Sequence, residues 1–210
     1  IKHKKVFYYD REPTKLTKQI ENLTEYEVRK KNLKNEIERI KNLSFKDKEK
    51  KIQNLKKKDT LGSINFDSVI IADFDENLKS VATSLLYTDV SSKRISYITL
   101  NQWFDESLLR ESSIHPIYFP SINKSNYELF MIEFKNTFGI DGDQLSFLSY
   151  DLVGLVYFLI YENKFNISKN IFYKKNKFKG KIGIFEISKN TITHQLNFYS
   201  IEDNKFKKIF

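Results

Sequence analysis

An α/β fold built on a parallel sheet flanked by helices is the class this sequence predicts, and three observations lead there. Short apolar runs of β character recur at Lys5 to Tyr9, Phe66 to Ala72, Ile95 to Leu100 and Ile117 to Phe119. Segments of helical period separate them, and strands alternating with helices are the signature of a parallel layer. The chain has 210 residues, of which 40% are apolar and 15% aromatic, enough to bury a real core.

The first run ends in Asp10-Arg11-Glu12-Pro13, a turn whose proline suits the first position of a helix, and Leu16, Ile20 and Leu23 follow at helical spacing. Residues 24 to 60 then read as one charged insertion. It holds thirteen Lys or Arg against seven Asp or Glu, so it supplies +6 of the formal net charge of +9. Leu33, Ile37 and Ile40 form a thin apolar stripe. Ser44-Phe45-Lys46-Asp47 resembles a capping box that opens a second helix with Ile52 and Leu55 inward. The expectation is a solvent-exposed helical hairpin that contributes little to the core. Beyond it, Phe66 to Ala72 reads as a buried strand, Leu78 to Tyr87 as an amphipathic helix, and Ile95 to Leu100 and Ile117 to Phe119 as further strands.

After Pro120 the texture changes. Tyr127, Phe130, Met131, Phe134 and Phe138 mark a helix that stops at Gly139, and Gln144 to Tyr161 forms a second, far more apolar one. Its length approaches that of a short membrane span, but Ser146, Ser149, Asp151 and Gly154 interrupt it, so a buried core helix is expected and no transmembrane segment. The tail alternates as strands: Ile182 to Ile187, Ile192 to Ser200 and Lys205 to Ile209, with Asp203-Asn204 as the turn before the last.

Several function classes find no support. The chain has no Cys, which excludes disulfides, thiolate metal sites and a thiol nucleophile. His3, His115 and His194 are isolated and lack metal-ligand spacing, so no metal and no cofactor is expected. No phosphate-cradling glycine loop or nucleophile elbow exists, and Asp73 with Asp75 is too common a pattern to count as an acid/base pair. Catalysis is therefore not expected. The basicity is local, interleaves Glu with Lys and includes only Tyr26 and Phe45 as aromatics, unlike a stacking platform, so nucleic acid is not expected either.

The ordered set Phe66-Asp67-Ser68-Val69-Ile70-Ile71, the helix ending Leu85-Leu86-Tyr87, Trp103 just after a strand, the helix Phe130 to Gly139, Tyr150-Asp151 and Gly180-x-x-Gly183 resembles the second half of a type I periplasmic binding protein, leucine-binding-protein-like. With the charged helices before Phe66 it is most similar to the penicillin-binding protein activator branch, lipoprotein-type regulators of peptidoglycan synthesis. The resemblance implies two α/β lobes with a ligand cleft between them. Residues 1–118 would be most of the second lobe (insertion 24–60), 119–187 the returning part of the first lobe, and 188–210 terminal strands that cross back. The chain would be the C-terminal part of a longer protein in the periplasm or associated with the outer membrane. Its partner would be a peptidoglycan synthase or another envelope protein; a receptor for an amino acid or similar small molecule of an ABC transporter is the alternative.

Four ligand-binding candidates follow. Asp73 lies beyond the carboxyl end of a strand, where open α/β sheets place ligands and where helix caps also sit. Trp103 follows a strand and either lines the cleft or packs beneath its loop. Tyr150 matches the family's Tyr-Asp pair, whose hydroxyl faces the cleft while the ring is buried. Tyr9 ends the first apolar run. Where receptors of this type carry an acid for a ligand ammonium, this chain has Ile114-His115-Pro116, which argues against amino-acid binding.

Overall fold

The computed structural model describes residues 5–189 and 191–210. Its elements in chain order are helices α1 (Pro13–Leu23), α2 (Tyr26–Lys41) and α3 (Lys48–Lys56), strand β1 (Ser68–Ile71), α4 (Asp75–Tyr87), β2 (Ser96–Thr99), β3 (Ile117–Ser121), α5 (Lys124–Phe138), α6 (Gln144–Glu162), and strands β4 (Asn176–Lys179), β5 (Ile184–Ser188), β6 (Thr191–Gln195), β7 (Asn197–Glu202) and β8 (Lys205–Lys208). Five strands form one sheet in the order β1-β2-β3-β7-β8, and β4-β5-β6 form another. β1 and β3 both run parallel to β2, with Ile71 opposite Thr99 and Tyr97 opposite Ile117. The predicted α/β class is therefore observed. The sheet is mixed, because β7 and β8 are joined by the two-residue turn Asp203-Asn204, both left-handed (φ 51° and 57°), which is the type I′ geometry of a tight hairpin.

Two compact units divide the chain. One comprises residues 1–100, 106–118 and 200–205, and the other 101–105, 119–199 and 206–210. In the first, α1 packs on α2 and α4, burying Leu16 and Ile20 from α1 and Leu78, Val81, Ala82 and Leu85 from α4. The fully buried Tyr97 donates its hydroxyl to Val90 O, and burial pushes that phenol well above its ordinary pKa. In the second, Phe104 sits edge-on to Phe119, Tyr199 and Phe206, and Phe147 packs against Tyr127 and Phe130 with ring centroids at 4.9 and 4.1 Å. Leu155, Leu159, Ile171 and Ile187 make a separate cluster beside Phe158 and Phe178.

The expected strand Lys5 to Tyr9 is not formed. Val6 and Tyr8 are exposed while Phe7 and Tyr9 are half-buried, so the segment alternates like a strand but enters no ladder. β1 is an edge strand with Ile70 70% exposed, not the buried strand its apolar run predicts. The capping box at Ser44 to Asp47 is also absent: Asp47 precedes α3 with φ 68° and makes no side-chain cap. A capping box does form at α6, where Asp143 accepts from the Ser146 amide at 2.8 Å.

The insertion is a helical hairpin, as expected, but it is no free appendage. Leu33, Ile40 and Leu55 bury one another, with Ile37, Ile52 and Leu61 alongside. Arg29, only 2% exposed, reaches out of α2 to Thr88 O at 3.1 Å and Thr60 Oγ1 at 2.6 Å. The thin stripe joins α2 to α3, and one buried arginine fastens α2 to the body.

Candidate functional site

Asp73 sits two residues beyond β1, between the parallel β1-β2 pair and α4, where strand carbonyl ends and the helix amino end meet. Its carboxylate accepts from the Tyr9 hydroxyl, from the Phe74 amide at 2.9 Å and from Asn77 Nδ2 at 3.4 Å. Thr99 Oγ1 donates to Ile71 O at 2.9 Å and ties the two strand ends together. Partial burial pushes the Asp73 pKa up, but the hydrogen bonds from Tyr9, Phe74 and Asn77 outweigh it and hold the carboxyl below its usual range. Burial and that same contact push the Tyr9 phenol up to about 12. The pair is thus a carboxylate with a neutral phenol at neutral pH. Asp73 is not the helix cap: Phe74 occupies that position, with no side-chain cap.

Trp103 and Tyr150 belong to the second unit. Trp103 and Phe104 are both left-handed (φ 50° and 60°), a sharp turn held by the buried Phe104 ring. The Trp103 amide donates to Asn101 Oδ1 at 3.0 Å, and its ring rests 6.3 Å from Phe147. Tyr150 projects from α6 with 55% of its surface exposed, edge-on to Phe130 and with the Lys181 ammonium 5.6 Å above its ring. The expectation of a buried Tyr150 ring is not met, because the face of α6 that it occupies lies open.

The neighbouring Asp151, legible in the sequence as an interruption of an apolar helix and as half of the Tyr150-Asp151 pair, has a structural role that those readings do not give. It is 3% exposed, and its carboxylate accepts from the backbone amides of Lys181 at 2.8 Å and Ile182 at 3.0 Å. Gly180 donates to Gly183 O at 2.8 Å and closes a turn around it. His194 stacks on Phe185 and presents a buried Nε2 without a hydrogen-bond partner against Gly183. The sequence carries both parts, an isolated carboxylate in an apolar helix and Gly180-x-x-Gly183, but not their pairing.

Burial lowers the His194 pKa from its ordinary 6.5, and the Asp151 charge only partly opposes this. The unfolded chain therefore takes up a proton below pH 6.5 that the folded chain resists, so this contribution to stability is present above that pH and is lost as pH falls. Urea unfolding at pH 7.5 and 5.5 should show a loss on acidification that shrinks in His194→Gln. An unchanged pH dependence in that variant would refute the assignment.

His115 is engaged in contacts within its own unit. His115 Nε2 lies 2.8 Å from Leu108 O, and His115 O accepts from Ser92, so this residue braces its own loop. His3 lies outside the described residues. Among the described residues no group of three His, Asp or Glu side chains could hold a metal. A shallow cavity of about 350 Å³ lies along α2, lined by Lys30, Leu33, Lys34, Ile37, Glu38 and Lys41, and none of the four candidates borders it. α6 is the one helix among the described residues long and apolar enough to cross a membrane; its mean hydropathy is 1.4 and it carries Asp151 inside protein contacts, so it is no clear span.

No protein-family model matches the chain, and no curated protein matches it.

Proposed function

We propose that this chain is the C-terminal part of a two-lobe cell-envelope protein of the type I binding-protein fold, closest to the penicillin-binding protein activators, and that it regulates peptidoglycan synthesis through protein contacts without catalysis. One observation carries the reading. Leu145, Leu148, Leu152, Val153, Tyr157 and Tyr161 stand exposed on α6, while Phe147, Leu155 and Leu159 of the same helix are buried. A helix apolar nearly all round belongs between two layers of a larger domain. In the proposed fold, strands of the first lobe cover this face, and the assembled envelope protein meets its synthase in the periplasm or at the outer membrane. The test is a longer chain that includes the upstream coding sequence: dye binding to the apolar face should vanish, and the purified protein should bind a peptidoglycan synthase and raise its rate. A longer chain that binds no synthase would overturn the functional reading; one that leaves the dye binding unchanged would overturn the fold reading.

The alternative is a small-molecule receptor, and Asp73 is the observation in its favour, since a carboxylate at the carboxyl end of a parallel sheet can pair with a ligand ammonium. Yet that carboxylate already accepts from Tyr9, Phe74 and Asn77. Calorimetry with leucine, isoleucine, valine and glutamate should therefore detect nothing tighter than about millimolar, equivalent to about 4 kcal/mol. A micromolar affinity abolished by Asp73→Asn would establish the receptor reading instead.

A further inference from the structure

The turn between α2 and α3 carries a second kind of surface. Residues 42–47 connect the helices, and Leu43 and Phe45 stand 42% and 43% exposed upon it. Each of these large apolar side chains leaves about two-fifths of its surface to solvent on a turn between two polar helices. Lys41, Lys46, Lys48, Lys50 and Lys51 flank them in the sequence against only Asp47 and Glu49. None of these five ammonium groups forms an ion pair among the described residues, whereas Lys30 and Arg39 on the stem pair with Glu27 and Glu36. Lys51 lies 5.9 Å over the Phe45 ring, and Lys48 hydrogen-bonds to Lys41 O, so cation and apolar groups share one edge.

We propose that this turn docks on an anionic lipid surface, with Leu43 and Phe45 entering the headgroup region and the lysines meeting lipid phosphates. Charge complementarity selects the occupant. Apolar residues flanked by ammonium groups outside any ion pair match an interface that is apolar beneath and negative above. The patch sits on a short turn between two helices, so it suits a broad, deformable surface better than a folded protein, which would need a matching acidic groove. The stem is braced, because the Leu33-Ile40-Leu55 cluster joins α2 to α3 and Arg29 ties α2 to the Thr88 carbonyl. The inference is independent of the activator reading.

The test is co-sedimentation of the full chain with vesicles of phosphatidylglycerol and phosphatidylcholine (1:3) or of phosphatidylcholine alone. Binding should occur on the first, fall steeply with salt, and be at least tenfold weaker on the second, since each lysine near an anionic surface contributes roughly fivefold in affinity. Leu43→Ser/Phe45→Ser and Lys46→Glu/Lys50→Glu should each lower partitioning at least tenfold with unchanged thermal unfolding. Lys174→Glu/Lys175→Glu, an equal charge change at exposed sites in the other unit, should stay within twofold. Equal binding to both vesicles, equal loss in the remote variant, or full binding by the serine variant would each overturn the proposal. So would failure to bind either vesicle, whatever acidic protein or nucleic acid the turn then captured.

Discussion

Replacing Arg29 with alanine is expected to cost about 3 kcal/mol of stability, the lower end of what removing one partner of a buried charged network costs. The guanidinium donates to Thr24 O at 3.3 Å, Thr88 O at 3.1 Å and Thr60 Oγ1 at 2.6 Å, and lies 3.5 Å from Asp89 Oδ2. Without it, two buried backbone carbonyls lose their donor. Asp89 keeps Arg94 at 3.2 Å and the Thr60 hydroxyl at 2.6 Å, which limits the damage to the lower end. Arg29→Lys should recover little, because an ammonium cannot span acceptors in a planar fork. Urea unfolding, with amide exchange resolving the α2 and α4 segments, is the measurement. A loss below about 1 kcal/mol in Arg29→Ala would mean that the packing of α2 on α1, and not the arginine, seats the hairpin. The same anchor predicts that exchanging residues 26 to 58 for a short Gly/Ser linker destabilises the first unit, contrary to the expectation from the charge pattern alone.

That contrast shows where the sequence was legible. β2, β3, α4, α5 and α6 follow from apolar runs and helical spacing, but α5 buries only Phe130 and α6 only Phe147, Asp151, Leu155 and Leu159, so the buried core helix expected at Gln144 to Tyr161 is not observed. The Asp203-Asn204 turn was legible too, since both residue types tolerate left-handed backbone. Arg29 was not. An arginine in a charged helix looks like its solvated neighbours until Thr60 and Asp89, 31 and 60 residues away, close around it. β4, with sequence Asn-Lys-Phe-Lys, was missed because one phenylalanine suffices when only one side of a short strand is covered. Lys5 to Tyr9 was over-read for the converse reason: alternation describes an extended segment whether or not a ladder partner exists. For the candidate site, Tyr9 and Asp73 are each legible at the end of an apolar run, but nothing in the sequence tells that they hydrogen-bond across 64 residues.

Gly180→Ala should be the most damaging single-methyl change in the second unit, at about 3 kcal/mol. A Cβ at this position would stand 2.1 Å from Asp151 Oδ2 and 2.5 Å from its Cγ. The carboxylate cannot swing aside cheaply, because it is short, 3% exposed, and holds the Lys181 and Ile182 amides at 2.8 and 3.0 Å. Moving it strands two backbone donors, and leaving it in place opens the turn closed by Gly180 N to Gly183 O. Asp151→Ala alone should cost about 2 kcal/mol, since those amides lose their acceptor. The two changes should not add. With the carboxylate already gone, the new methyl meets space rather than oxygen, so the double variant should be less destabilised than the sum by more than about 1 kcal/mol. Unfolding of the four proteins in urea, at pH 7.5 where His194 is neutral, measures the cycle. Additive losses would mean that Gly180 is required for its backbone and not for the room it leaves to Asp151.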